Sequence, residues 1–245
     1  MNHATGVTKR VLIAGGSSGM GEALAARMLK EGAEVTIVGR SGERLSAARN
    51  RLPDPERVRI CAADISKEEQ VARLFGEVGE LDHIVSTAAD IDGAYELLPD
   101  LALAAVQRAL ESKVLGPILL AKHGVPRLSR SGSITFTSGI AAYRPLARGA
   151  AVATINAALE GLVRALAVEL APIRVNAVSP GWVDTPIWTF VAGDAKDERL
   201  EAMAKRLPVG RIGQADDIAD AIAFLMSNGF TTGTVLHVEG GHRLI

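Results

Sequence analysis

The stretch RVLIAGGSSGMGEALAARMLKEGAEVTIVGR, residues 10–40, decides the fold. It opens with a short apolar run, 10–15, rich in Val, Leu and Ile and closed by glycine, which predicts a buried strand. Residues 21–32 carry apolar side chains at helical spacing and stop at Gly32, predicting a helix. AEVTIVG, 33–39, predicts a second strand. Strand, glycine loop, helix and strand in this order make a βαβ unit. The loop glycines Gly15, Gly19 and Gly21 form a G-x-x-x-G-x-G pattern. Glycine lets the backbone approach a pyrophosphate closely, and the free N–H groups at a helix start favour an anion. A glycine trio alone has little specificity, and the bland alternative is a tight turn that binds nothing. Its place between the first strand and the first helix points to a dinucleotide.

The same alternation continues outward. Helices are predicted over 42–52, 67–78, 100–126, 147–171 and 214–228, and strands over 57–63, 81–88, 132–138, 173–179 and 233–241. Continuously apolar strands are buried on both faces, which means a parallel sheet with helices on each side. Seven such alternations read as one Rossmann-like α/β domain over 1–245, a doubly wound seven-stranded parallel sheet in a three-layer α/β/α arrangement. The least regular region, 185–213, follows the sixth strand at the carboxyl end of the sheet, where ligands bind, and is expected to form a substrate lid.

Composition narrows the function classes. A chain of 245 residues buries enough apolar surface to need no metal or disulfide staple, and no residue is assigned to a metal. Hydrophobic residues make up 48% and charged residues 22%, with a net charge of −1, so nothing points to nucleic acid or an anionic membrane as partner. The single cysteine, Cys61, excludes an internal disulfide and is expected to be a buried, inert strand residue. The opening MNHATGVTKR lacks the apolar core of a signal peptide, and no run approaches 18 apolar residues, so a cytoplasmic protein is expected.

Several further motifs give the chain a resemblance to the short-chain dehydrogenase/reductase family over essentially its whole length. The loop resembles that family's T-G-x-x-x-G-x-G, with Ala14 in place of the threonine; Asp64 in AADIS resembles its adenine-contacting aspartate; IRVNAVSPGWVDTP, 173–186, and TGTVLHVEGG, 232–241, resemble its closing segments. The resemblance implies that Gly15, Ser17, Ser18, Gly19, Met20 and Gly21 cradle the cofactor. Asp64 would contact the adenine, and Ile65 and Ala88 would also bind the cofactor; Pro180, Gly181 and Val183 would flank the nicotinamide, and Thr185 would approach the phosphates. Members that prefer NAD(H) carry an acid after the second strand. Here Gly39 is followed by Arg40 and Ser41, with Arg44 nearby. A guanidinium pairs bidentately with a ribose 2′-phosphate that an acid would repel, so NADP(H) is expected over NAD(H). The plainer reading of Arg40 is a solvated loop charge.

The family's reaction uses a tyrosine as acid/base, a lysine four residues later that lowers the tyrosine's pKa, a serine that binds the substrate oxygen, and an asparagine that holds a relay water. Anchored on AALEGL, 157–162, the resemblance places Asn156 at the lysine position and Val152 at the tyrosine position. Anchored on GSI, 132–134, it places Gly139 at the serine position, and the thirteen residues from Gly139 to Val152 match the family's spacing. KVLG, 113–116, puts Lys113 at the asparagine position. The chain's two tyrosines, Tyr95 and Tyr143, are followed four residues later by Pro99 and Ala147, so no Y-x-x-x-K exists in any register. The family's NNAG after the fourth strand is Ser86-Thr87-Ala88-Ala89. Lys113 and Ser138 are the candidate substitutes, although the plainer reading of Lys113 is a solvated or partnered helix lysine, and Tyr143 is expected to pack a loop or line the pocket.

Three readings follow. One is an NADP(H)-dependent oxidoreductase with a non-standard active site. Another is an inactive homologue acting as a cofactor sensor or partner subunit. The third is an enzyme of another reaction class working without the tyrosine. Resemblance further implies a homodimer or homotetramer. The substrate is a small molecule that the sequence does not identify, and Trp182, Trp188 and Phe190 suggest an apolar element near the cleft.

Overall fold

Strand β1 (Arg10–Ala14) leads through helix α1 (Gly19–Lys30) to β2 (Glu34–Gly39), and α2 (Gly42–Arg51) leads to β3 (Val58–Ala62). Helix α3 (Glu68–Glu77) precedes β4 (Leu81–Ser86). A long helical span then runs through α4 (Leu103–Leu110), a π turn (Glu111–Leu115) and α5 (Gly116–Gly124) to β5 (Leu128–Thr137). Helix α6 (Ala150–Glu169) returns to β6 (Arg174–Pro180). After it come the short α7 (Trp188–Ala192), α8 (Lys196–Ala204), α9 (Ala215–Ser227) and β7 (Val235–Val238). The strands make one all-parallel sheet in the order β3-β2-β1-β4-β5-β6-β7. This computed structural model describes residues 8–245.

Strand residues alternate between two cores, as a period of two requires. Val11, Ile13, Val35 and Ile37 meet α1, α2 and α9 through Leu24, Leu45 and Ile222. Leu12, Ile84, Ile134 and Val175 meet α3, α5 and α6 through Leu74, Leu120 and Leu159. The expected three layers are therefore present. By length and composition α6 could cross a membrane, but Ile155, Leu159 and Val163 pack it into the protein as a core helix.

Several element boundaries differ from the sequence reading. Strand β5 begins four residues earlier, at Leu128. Its polar Ser129-Arg130-Ser131 carries no strand signal, and the register to β4 shifts between Leu81 and His83. Gly132 sits at this irregularity, where a Cβ would lie 2.7 Å from the Asp82 carbonyl oxygen. The helical span 100–126 is interrupted by the π turn. Pro117 has no N–H for the carbonyl four residues back, that of Lys113, and its ring would press on it; a wider turn accommodates both effects. Helix α6 starts at Ala150 rather than 147, because Arg148 takes a left-handed φ of 72°. Cys61 is half-buried on the edge strand β3 rather than fully buried, and burial pushes its thiol pKa up, away from the reactive thiolate.

At the amino end of the sheet, His83 on β4 pairs across the register with Ser133 on β5, Nδ1 to Oγ 2.8 Å. Burial pushes the His83 pKa down to about 4. The unfolded chain therefore binds a proton between its ordinary pKa and about 4 that the folded chain refuses. Stability should fall as pH drops through that window, by about 3 kcal/mol if each pKa unit counts ~1.4 kcal/mol. Chemical denaturation at pH 7 and pH 4.5 checks this: His83→Gln should lose less stability between the two pH values than the wild type. An equal loss would show that His83 does not titrate as described.

Candidate functional site

The strand order reverses between β1 and β4, and a crevice opens at the carboxyl ends of these strands. The β1–α1 turn fills its floor. Gly15 takes a φ of 87°, which L side chains avoid, and its N–H donates to the Val38 carbonyl at 2.9 Å. A Cβ on Gly21 would sit 2.3 Å from the Gly15 carbonyl oxygen and 2.6 Å from Thr87 Oγ1. Gly16, which the pattern of three omitted, is equally constrained: a Cβ there would reach Ile37 Cγ2 at 2.6 Å. Ser18 is the N-cap of α1 but makes no side-chain cap bond, so the first-turn N–H groups keep no side-chain partner. Thr87, from the altered motif after β4, clamps the turn by donating through its hydroxyl to the carbonyls of Ala14 and Gly15, each at 3.3 Å. The neighbouring Ala88 contributes its backbone N–H, 2.7 Å from where a Gly15 Cβ would be. This is a cradle that added side chains would fill, and it fits a pyrophosphate.

The other expected cofactor residues gather around it. Gly19 has a φ of 54°, and its missing Cβ faces Thr185 and Pro186 at 3.5 Å, so the segment after β6 closes over the turn. Pro180 ends β6, Gly181 approaches the Glu239 backbone too closely for any side chain, and Val183 is buried and bridges to Gly213. Ser17 lies half-buried beside Gly39, and Met20 packs into the core below. Arg40 follows β2, and Ser41 caps α2, its Oγ accepting from the Arg44 N–H at 3.2 Å. The Asp64 carboxylate accepts from the Ser66 N–H and hydroxyl at 2.9 and 2.7 Å, which fixes the turn after β3. Ile65 is buried against Gly116.

Farther along the crevice the four family positions meet. Lys113 is 7% exposed, and its Nζ donates to Asn156 Oδ1 at 2.7 Å and to the Ser138 carbonyl at 3.1 Å. No carboxylate pairs with it among the described residues, and burial pushes its pKa down to about 8. Asn156 is buried, and a Cβ on Gly139 would lie 2.8 Å from its Nδ2, so this rotamer and a side chain at 139 compete for one space. Val152 is buried in an apolar cluster with Ile91, Ala94, Ala109 and Ile155, against which Tyr95, Ile187 and Val191 pack. The first turns of the segment 185–213 thus pack against the cluster that holds Val152.

Ser138 stands differently from its expected use. Its hydroxyl donates to Glu160 Oε1 at 2.8 Å, and only its carbonyl meets Lys113. Glu160 is buried on α6, and its other oxygen accepts from Tyr143 Oη at 2.5 Å. This hydrogen bond to a carboxylate pushes the Tyr143 pKa up and makes it a poorer acid. Tyr143 also meets the His237 ring edge-on at 4.5 Å, so it packs its loop as expected. Sequence reasoning passed over Glu160. The signal was an acid at helical spacing from Val152 and Asn156, on the buried stripe of an apolar helix. Trp182 and Trp188 stack on each other at 4.5 Å, and Trp188 Nε1 donates to the Val183 carbonyl, tying α7 to the end of β6. The side chain of Phe190 lies outside the described residues. A cavity of about 330 Å³ lined by Arg59, Cys61 and Arg73 lies at the outer edge of β3, separated from the crevice by β2.

Comparisons with known proteins agree with this fold. A family model described as enoyl-(acyl carrier protein) reductase matches residues 14–243. The chain is 34% identical over 255 residues to the short-chain dehydrogenase/reductase UcsE of Acremonium sp., covering 95% of this chain and 94% of that one. Its fold is similar to that of the MalC reductase/Diels-Alderase of Malbranchea aurantiaca, with a TM-score of 0.89, 32% identity and coverage of 97% and 96%. It is also similar to a small-chain dehydrogenase solved in complex with NADPH, with a TM-score of 0.81, 34% identity and coverage of 98% and 100%.

Proposed function

The chain belongs to the short-chain dehydrogenase/reductase family of oxidoreductases, and from that premise we propose that it is an NADP(H)-binding reductase with a non-standard active site. The observation that carries this reading is Lys113: a buried ammonium held by Asn156 and the Ser138 carbonyl, with no carboxylate to neutralise it among the described residues. The glycine turn, the α1 amino end and Thr185 would hold the pyrophosphate, and Arg40 the 2′-phosphate. The nicotinamide cofactor, when bound, supplies the hydride.

The proton comes from this chain's own residues. Val152 cannot donate one, and the Ser138 hydroxyl is committed to Glu160. Lys113 can donate a proton to a developing substrate oxyanion, and a pKa near 8 suits a general acid working close to neutrality. Asn156 and the Ser138 carbonyl orient its Nζ. The apolar cluster around Val152 presents a greasy wall, which favours a carbonyl or enone carried on an apolar skeleton. Residues 185–213 act as the lid, with Ile187 and Val191 closing on that wall. The exposed Leu103, Leu110, Leu115 and Ile118 on the long helical span support a homo-oligomer.

The same buried Val152 favours a second reading, in which the cleft binds its ligands without reducing them, as a cofactor sensor, a partner subunit or an enzyme of another class. MalC is named both a reductase and a Diels-Alderase, so a chain of this fold is described with chemistry beyond reduction. Thermal shift and turnover separate the readings. At a hundred times its Kd, NADPH should stabilise the protein by about 2.7 kcal/mol, and by more than NADH does at equal concentration. NADPH consumption with a member of a carbonyl and enone panel supports the reductase. Saturable NADPH binding with no turnover supports the second reading, and failure to bind either dinucleotide rejects the cofactor assignment altogether.

A further inference from the structure

Arg40 does not stand free in the loop after β2. Its Nη1 donates to Asp90 Oδ2 at 2.6 Å. Arg40 follows the last residue of β2, and Asp90 lies four residues beyond the end of β4. These strands flank β1, so the ion pair bridges a gap of about 10 Å, two strand spacings, across the carboxyl end of β1. That is where the glycine turn begins. The two partners are also unequally held. The Asp90 side chain is 19% exposed and its backbone N–H donates to Ser112 Oγ at 2.9 Å, whereas the Arg40 side chain is 65% exposed. The aspartate is thus the more buried member and the guanidinium the more exposed one.

We infer that Asp90 is a built-in stand-in for the ribose 2′-phosphate, holding Arg40 across the crevice until a 2′-phosphorylated dinucleotide displaces it. The inference rests on the NADP(H) reading of the site and adds a specificity-determining residue to it. A carboxylate and a phosphate compete for the same guanidinium fork, and each accepts from it in the same way. The carboxylate left behind stays near the incoming phosphate and repels it. Asp90 therefore lowers affinity for the phosphorylated cofactor twice, by competition and by repulsion, and has no such effect on a ligand without the phosphate.

Equilibrium binding of NADPH, NADH and adenosine 2′,5′-bisphosphate to the full chain tests this, with wild type, Asp90→Asn, Arg40→Gln and the double variant compared by fluorescence or calorimetry. D90N should bind NADPH and the bisphosphate ~5-fold tighter, the size expected of losing one exposed competing ion pair. Its NADH affinity should not change. In the R40Q background the same change should give a smaller gain, because the competition for the guanidinium is gone. A D90N protein that binds NADPH no tighter, or that tightens NADH equally, overturns the inference while the NADP(H) reading stands. A wild type that prefers NADH or binds neither dinucleotide overturns that reading, and the inference with it, from the first measurement.

Discussion

Lys113→Met should abolish turnover while changing the stability of the fold little at neutral pH. Loss of a general acid costs about 10²–10⁴ in rate, so NADPH consumption with any accepted substrate should fall into that range or below detection. The stability half follows from burial. A lysine whose pKa is about 8 when folded, against 10.5 when free, pays for its charge at neutral pH. Between those two values the unfolded chain holds a proton that the folded chain lacks, so wild-type stability should rise with pH across that window. At ~1.4 kcal/mol per pKa unit the rise amounts to about 3 kcal/mol. Methionine has no such penalty, but it leaves Asn156 Oδ1 and the Ser138 carbonyl without a donor, at about 1–3 kcal/mol for each group left unsatisfied. The effects nearly offset at neutral pH, and the alkaline rise should vanish. Denaturation at pH 7.5 and pH 10 reads the stability, and the kcat/KM profile should fall above pH 8 in the wild type. Lys113→Arg keeps a charge that cannot be given up near neutral pH and should be as inactive as the methionine variant. Wild-type turnover in either variant would remove Lys113 from the chemistry.

Gly21→Ala should cost the protein both its dinucleotide binding and several kcal/mol of stability. The added methyl would stand 2.3 Å from the Gly15 carbonyl oxygen and 2.6 Å from Thr87 Oγ1. One is backbone, and the other is the hydroxyl that clamps the turn, so the turn must open or α1 must shift. Gly76→Ala is the matched comparison. That glycine lies near the end of α3 with nothing within 4 Å of a built Cβ, and the change should stabilise by ~0.5–1 kcal/mol. Thermal denaturation and NADPH titration of the two variants should therefore move in opposite directions, Gly21→Ala down in both and Gly76→Ala up in the first alone. A Gly21→Ala protein with unchanged NADPH affinity would show that the turn does not hold the pyrophosphate.

The fold was legible because buried parallel strands write themselves as uninterrupted apolar runs and their helices as amphipathic ones. Where that writing is interrupted, reading stops. The start of β5 runs from Leu128 into Ser129-Arg130-Ser131, polar residues on a strand segment at the sheet's amino end, and no pattern announces it. The π turn at Lys113 depends on Pro117 acting on a carbonyl four residues back, a local clash that periodicity does not register. The cofactor turn was legible as three glycines because a backbone shape leaves a residue-type signature, and Gly16 escaped because its need comes from a neighbour on another strand, Ile37. Partners are the least legible of all. Arg40 was visible and Asp90 was not, since fifty residues separate them in the chain and only the reversal of strand order brings them together. Glu160 likewise acquires meaning only when Ser138 and Tyr143 converge on it.

The stacked Trp182 and Trp188 are also the chain's only tryptophans. Every indole in the protein therefore sits at one spot, where α7 is pinned to the end of β6 beside Val183. Intrinsic emission excited at the red edge of the protein band consequently reads a single location without any label. Its quenching, anisotropy and energy transfer to a reduced nicotinamide report on the base of the 185–213 segment alone, which makes an unmodified sample its own optical gauge of how that segment moves.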